Sequence, residues 1–177
     1  MTDVGRSVMI RPGPSLPVPA RPNQRRSCMR VGVLIAIALA VAAGRVAAQE
    51  KQVIRMPGSL EGLPFSSAVR VNDLLFLSGQ IGAKPGTREL VPGGIAAETR
   101  QTLENIKAVL EYAGSSLDRV VKCTVFLADF GDYAAMNAVY ATYFTQDPPA
   151  RSALGSNGLA LGAAVEIECM ALAGDRS

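Results

Sequence analysis

The chain contains no histidine among its 177 residues, no tryptophan and only three cysteines. Without histidine, the sequence excludes Ser-His-Asp and Cys-His catalysis and every metal site that is built on imidazole. The three cysteines, Cys28, Cys123 and Cys169, show no CxxC spacing, so a zinc site is not expected either. We therefore expect a protein whose chemistry uses no bound metal.

Long apolar runs are also scarce, and the single one lies near the N-terminus. It covers Val31–Gly44, 14 residues, which is short of the roughly 20 that span a bilayer. Arg30 precedes the run, and Val46-Ala47-Ala48 supplies small residues before Gln49. This order predicts a signal peptide over residues 29–48 that is cleaved near Ala48, with a periplasmic or secreted product. A retained membrane anchor is the alternative, and we do not expect one.

Residues 1–28 are rich in proline and arginine, a composition that is typical of disordered segments. Two interpretations of this extension remain open. Either Met29 is the true start of a compact Sec-type signal, or Arg25-Arg26 belongs to a twin-arginine signal with a long n-region. We favour the first, because the residues after Arg26 fit a twin-arginine signal poorly. Residues 49–177 are then expected to form one domain.

The net charge of +3 hides an uneven distribution. Residues 1–48 hold seven arginines and one aspartate, whereas residues 49–177 hold 11 basic and 14 acidic side chains, a net charge of −3. A mildly acidic domain attracts no phosphate backbone, so a nucleic-acid partner is not expected.

Hydrophobic periodicity predicts a domain of mixed secondary structure. One helix is expected from about Ile95 to Ala113, and a second from a cap at Asp129 or Asp132 to about Phe144. The predicted strands cover residues 52–56, 68–71, 74–78, 119–127, 150–154 and 164–173. Two helices on one face of a mixed sheet make a two-layer α+β domain. The other face of the sheet would be uncovered, which suggests assembly.

The last predicted strand carries two carboxylates on one face. Side chains alternate along a strand, so Glu166 and Glu168 point together and away from Ile167. A single folded domain has little use for such a pair, whereas a subunit interface or a small-molecule pocket does. Arg151, beside a proline pair, offers a guanidinium fork that suits a carboxylate ligand, and Glu168 is its candidate proton-handling partner.

Cys123 and Cys169 fall in two different predicted strands. We interpret them as two buried free thiols, because a bond between strands needs a specific geometry. A disulfide is the alternative, since an exported protein meets an oxidising environment.

Six segments, taken in order, resemble the RidA-like (YjgF) family of reactive-intermediate deaminases. They are residues 77–81, 99–110, 121–127, 136–140, 149–152 and 165–168, and the likeness extends over residues 52–173. The resemblance implies a homotrimer of chorismate-mutase-like subunits with a pocket at each subunit interface. It also implies hydrolysis of small enamines and imines to 2-keto acids and ammonium, without metal or organic cofactor.

The resemblance further implies roles for individual residues. Arg151 would bind the substrate carboxylate through two parallel hydrogen bonds, and Glu168 would handle water. The expected substrate-binding residues are Arg151, Phe65, Ser78, Gly79, Asn137 and Ala153. Two of them depart from the family pattern, because Phe65 lacks the hydroxyl of the usual tyrosine and Ala153 replaces a common cysteine. The glycine-containing segment 154–159 also departs from it and leaves the substrate range open.

The sequence is therefore compatible with two classes of function. The first is an exported imine and enamine deaminase that acts on a small imino acid. The second is a non-enzymatic trimer that binds a small carboxylate or acts as a holdase. Glu168 beside Arg151 favours the enzyme, because a carboxylate-binding protein has no need of a glutamate.

Overall fold

The computed structural model describes residues 50–174, so the predicted extension and signal peptide lie outside the described range. This part of the chain forms one mixed sheet and two α-helices, as the sequence predicts. The elements are β1 (Lys51–Ile54), β2 (Ala68–Val71), β3 (Leu74–Leu77), β4 (Gln80–Ile81), α1 (Gly94–Tyr112), β5 (Val120–Leu127), α2 (Tyr133–Tyr140), β6 (Ala150–Gly155) and β7 (Val165–Leu172). No helix within residues 50–174 is long and apolar enough to cross a membrane.

The strand order is β1-β2-β3-β7-β5-β6, and β4 pairs with β7 beyond the end of β3. Only β5 and β6 run parallel to each other. The sequence analysis missed β4, which is two residues long. Phe76 pairs with Met170 and Gln80 with Ile167, so the β3–β4 segment contains one more residue than β7 between these pairs. This irregularity lies around Gly79 and turns the chain at the point where the site is built.

Helix α1 packs its apolar stripe on the sheet, because Leu103, Ile106 and Leu110 recur at steps of three and four residues and are fully buried. A buried carboxylate ties the start of this helix to the start of β7: the backbone N–H of Ala164 donates to Glu98 Oε2 at 2.8 Å. The bond fixes β7 just before Glu166, so the helix also positions the acidic strand.

Helix α2 is shorter than predicted, since it ends at Tyr140 rather than near Phe144. The chain tightens there into turns, and the Thr142 hydroxyl donates to the Val139 carbonyl at 2.7 Å. Of the two predicted caps, Asp129 accepts a bond from the Gly131 N–H at 2.8 Å, which caps the short 3-10 turn before α2. Asp132 makes no side-chain cap.

The face of the sheet that points away from α1 and α2, here called the outer face, is uncovered in the single chain. Its apolar side chains remain substantially exposed, among them Phe76 at 41% and Leu172 at 43%. Register places Phe76 beside Val69 and Met170, so the exposed side chains form a continuous patch over β2, β3 and β7. A contiguous apolar patch on a sheet marks an interaction surface.

Cys123 and Cys169 form a disulfide, so the prediction of two free thiols is wrong. Antiparallel pairing of β5 with β7 puts the two residues directly opposite each other, with their Cα atoms 4.1 Å apart. Both side chains are buried on the helix side of the sheet. The strand register, which the sequence does not give, thus brings the two cysteines together.

Candidate functional site

A cavity of about 840 Å³ opens beside β4. The segment from Arg55 to Ser67 and the turn from Ala83 to Arg88 form its walls, and one side of α1 closes it. Two residues that the sequence analysis placed in a substrate site, Phe65 and Gly79, line this cavity. The other lining residues are a mixture of apolar and polar side chains, and Phe65 itself is 57% exposed. The volume is sufficient for a small organic ligand.

Glu166 supplies a carboxylate to the cavity. It is half-buried and lies against Gly79 so closely that a β-carbon at position 79 would collide with Glu166 Oε1. Glycine is therefore required at position 79 for this carboxylate to take its place. Desolvation raises the pKa of Glu166 above its ordinary value, and the neighbouring charge of Glu168 raises it further. The group is thus a better proton acceptor than an ordinary surface glutamate.

Glu168 lies elsewhere. It pairs with Thr124 of the neighbouring strand β5 and is exposed on the outer face, and it does not line the cavity. Ser78 also lies outside the cavity wall, but its hydroxyl donates to the Ser66 carbonyl at 2.6 Å. This bond attaches the segment that carries Phe65 to the end of β3, which gives Ser78 a positioning role.

The remaining predicted residues meet at the edge strand β6. Arg151 Nη2 donates to Asn137 Oδ1 at 2.7 Å and to the Tyr133 hydroxyl at 3.0 Å, and both partners belong to α2. The guanidinium carbon also lies 4.6 Å from the centre of the Tyr140 ring. An arginine held by two acceptors and an aromatic face has little rotational freedom left. Ala153 follows on the same face of β6 and packs against the core.

Tyr140 contributes only its ring. Burial raises the pKa of Tyr140 to about 12, and the positive charge of Arg151 opposes that rise. Its hydroxyl has no hydrogen-bond partner within residues 50–174. The neutral ring therefore serves as a flat cation-binding surface under the guanidinium.

The two groups of residues do not meet in one chain. Arg151 projects to the helix side, where it contacts α2, whereas Glu166 projects to the outer face. Strand β5 lies between β6 and β7, so the two strands are roughly 10 Å apart. The chain thus presents two separated half-sites: the arginine half-site, of Arg151 with Tyr133, Asn137 and Tyr140, and the glutamate half-site, of Glu166 with Phe65 and Gly79.

Sequence analysis missed Tyr133 and Tyr140, because a helix pattern does not show which residues lie beneath a neighbouring strand. Among residues 50–174, no group of three or more His, Cys, Asp or Glu side chains is arranged to hold a metal ion. Cations do line the cavity, and one of them, Lys84, pairs with Glu89 at 3.0 Å.

Comparison with known proteins yields consistent relatives. Residues 59–173 match the family model described as endoribonuclease L-PSP. The 2-iminobutanoate/2-iminopropanoate deaminase of Mus musculus is 43% identical over 111 residues, which are 63% of this chain and 82% of the relative. A RutC family protein of Pyrococcus horikoshii is 49% identical over 108 residues, 61% of this chain and 86% of the relative. The crystal structure of RidA from an Antarctic Psychrobacter superposes with a TM-score of 0.64 at 38% identity, covering 68% of this chain and 98% of that one.

Proposed function

The chain belongs to the endoribonuclease L-PSP family, the RidA-like family that its motifs resemble, and from this premise we propose that it deaminates reactive 2-imino acids and their enamine tautomers. The products would be 2-keto acids and ammonium. The observation that carries the proposal is the pair of half-sites: a clamped guanidinium for a carboxylate, and a cavity carboxylate whose pKa is raised.

The chemistry requires little of the protein. A protonated imine carbon is already electrophilic, so hydrolysis needs a held substrate, a positioned water and a proton acceptor. The acceptor takes a proton from water while the water oxygen bonds to the carbon of the protonated imine. This addition forms a carbinolamine. The same group returns that proton to the nitrogen and then takes the proton of the carbinolamine hydroxyl as the C–N bond breaks and the ketone forms. The departing ammonia takes up this last proton and leaves as ammonium. Proton transfer of this kind typically contributes ~10²–10⁴-fold in rate.

We assign the proton-handling role to Glu166 rather than to Glu168. Three features support Glu166: it lines the cavity, it is half-buried against Gly79, and its pKa is raised. Glu168 is exposed outside the cavity, and we propose that its charge tunes its neighbour. Arg151 orients the substrate by binding the carboxylate of the substrate, because a fixed guanidinium selects a planar anion.

We further propose that the active protein is a homotrimer in which one subunit supplies the arginine half-site and the next supplies the glutamate half-site. The separation of the two half-sites across the sheet supports this arrangement, as does the exposed apolar patch of the outer face. Packing of outer faces would bury that patch and close the cavity with residues of a second copy.

We propose an exported location for this activity. The signal-like segment at residues 29–48 and the Cys123–Cys169 disulfide are independent features, and both suit an oxidising compartment. Imines would arise there from oxidation of amino acids.

The proposal is tested with purified residues 49–177. An amino-acid oxidase generates 2-imino acids in the cuvette, semicarbazide traps them, and the protein competes with the trap. Acceleration of imine loss by wild type is the expected result, with loss of that acceleration in Arg151→Ala. Arg100→Ala, which removes an exposed arginine outside both half-sites, serves as the control. A folded protein that accelerates no imine tested would contradict deamination and support the carboxylate-binding alternative.

A further inference from the structure

The hydroxyl of Tyr133 has a hydrogen-bonding capacity that the fold leaves unused. It accepts a bond from Arg151 Nη2 at 3.0 Å. Within residues 50–174 its own proton has no acceptor, since the hydroxyl donates to no described atom. The side chain is half-buried at the rim of the arginine half-site, so this donor remains open to a ligand. A polar hydrogen next to a fixed cation is positioned to meet an anion.

The hydrogen-bond donors of Arg151 support the same conclusion. Nη2 carries two N–H groups and has two acceptors, Asn137 Oδ1 and the Tyr133 hydroxyl. Each of the two edges on which a guanidinium forms parallel bonds to a carboxylate includes Nη2. A carboxylate that took both bonds from Arg151 would therefore have to displace one of these acceptors. If it instead takes one bond from the free donors of Arg151 and one from the Tyr133 hydroxyl, both existing bonds are kept.

Resting on the function proposed above, we propose that Tyr133 is a substrate-binding residue that donates its hydroxyl proton to the substrate carboxylate beside Arg151. Accepting a bond from a cation makes a hydroxyl a stronger donor, because hydrogen bonds in a chain polarise one another. The ring is held for this role: it stacks on Phe130 with centroids 5.4 Å apart and lies 5.7 Å from the guanidinium carbon. Tyr133 thereby selects imines that carry a carboxylate next to the imine carbon.

Tyr133→Phe is the test variant, because it removes the hydroxyl and keeps the ring that contacts Phe130 and Arg151. For a 2-imino acid we expect KM to rise roughly tenfold, the usual effect of one hydrogen bond to a charged group, with kcat little changed. An imine without a carboxylate, made by an amine oxidase, should be handled equally by variant and wild type. Tyr143→Phe is the matched control, since its hydroxyl donates to Glu104 at 2.7 Å, outside both half-sites.

Binding is measured separately from catalysis, by calorimetric titration with pyruvate. We expect Tyr133→Phe to bind pyruvate roughly tenfold more weakly than wild type and Tyr143→Phe to bind it equally well. Wild type that binds pyruvate but deaminates nothing would remove the proposed function and leave the role of Tyr133 standing. Unchanged KM and pyruvate affinity in Tyr133→Phe would overturn that role, as would equal impairment on the imine without a carboxylate. Wild type that neither binds nor deaminates would overturn both.

Discussion

Arg151 and Glu166 point to opposite faces of one sheet, with a complete strand between the two strands that carry them. Arg151 bonds to α2 on the helix side, and Glu166 faces the outer side against Gly79. No small imino acid reaches both from within one chain. If both act on one substrate, then the active site contains residues of two subunits, and activity depends on assembly.

A charge on the outer face should therefore abolish activity through dissociation. Phe76 is 41% exposed in the single chain and lies within the apolar patch. Phe76→Glu would bury an unpaired carboxylate on assembly, which is costly. We expect monomers by light scattering after size exclusion, with deaminase activity reduced to background. Tyr112→Glu, at an exposed aromatic at the end of α1, should remain assembled and active. An active monomeric Phe76→Glu protein would contradict the two-subunit site.

The two glutamates of β7 form a matched pair of test positions. Glu166→Gln should lower kcat by about 10² or more, because it removes the proton acceptor. Glu168→Gln, two residues along the same face, should retain most of the activity, since Glu168 lies outside the cavity. Steady-state kinetics with a 2-imino acid checks both variants. The reverse ranking would return the catalytic role to Glu168, where the family resemblance first put it.

Gly79 offers a test that leaves every polar group in place. A β-carbon at this position collides with Glu166 Oε1, so Gly79→Ala should push the carboxylate out of position. Displacement of a catalytic group by about an ångström can cost ~10²-fold in rate. Gly155→Ala is the control, because its added β-carbon would meet only Phe130 Cβ at 3.6 Å, an ordinary contact. Equal activity of the two variants would show that Glu166 need not lie against Gly79.

Periodicity was sufficient to predict most of the fold. The apolar steps of α1 predicted residues 95–113 against an observed Gly94–Tyr112, and alternation along β7 placed Glu166 and Glu168 on one face. These patterns succeed because burial of one helix stripe or one strand face determines which residues are apolar. The turn that joins β2 to β3 lies at Asn72-Asp73, where asparagine adopts a positive φ of 53°.

Relations between strands were not predictable in the same way. Alternation cannot tell which of two equivalent glutamates meets the cavity, because that depends on the extra residue around Gly79. Register also decided the disulfide, since it set Cys123 opposite Cys169. The hydrogen bonds of Arg151 to α2 depend on where α2 lies over β6. The contact of Arg151 with Tyr133 was therefore not predictable from the sequence. Each of these features follows from long-range pairing rather than from local pattern.

The disulfide should contribute substantially to stability. It joins two central strands across a separation of 46 residues, for which loop-closure entropy predicts about 3–4 kcal/mol. We expect reductant to lower Tm by roughly 10 °C in thermal unfolding of the wild-type domain. The Cys123→Ala/Cys169→Ala double variant should start at a lower Tm and show no response to reductant. A wild-type Tm that is the same with and without reductant would contradict a stabilising bond.

The pH dependence of activity should reveal the coupling between the two glutamates. If Glu166 accepts the proton, kcat/KM falls as pH drops through its pKa, which desolvation and the charge of Glu168 raise above the ordinary value. The acid limb of the profile should therefore lie above that of an ordinary carboxyl. Glu168→Gln removes one of the two causes, so its acid limb should move to lower pH while the plateau is kept. An acid limb that does not move would show that Glu168 exerts no such influence.

The raised pKa of Glu166 also determines the direction in which its contribution to folding stability changes with pH. Because the pKa of Glu166 is higher in the folded than in the unfolded protein, the folded state binds more protons between the two values. The contribution of Glu166 is thus fully favourable below the unfolded pKa and is lost as pH rises through the folded pKa. Glutamine does not ionise, so Glu166→Gln should not lose this stability as pH rises. The Tm of the variant should therefore exceed that of wild type increasingly towards neutral pH, and the difference should vanish in acid. Thermal unfolding across that range measures the difference, and a gain that instead grew towards acid pH would mean that the folded protein lowers the pKa of this carboxyl.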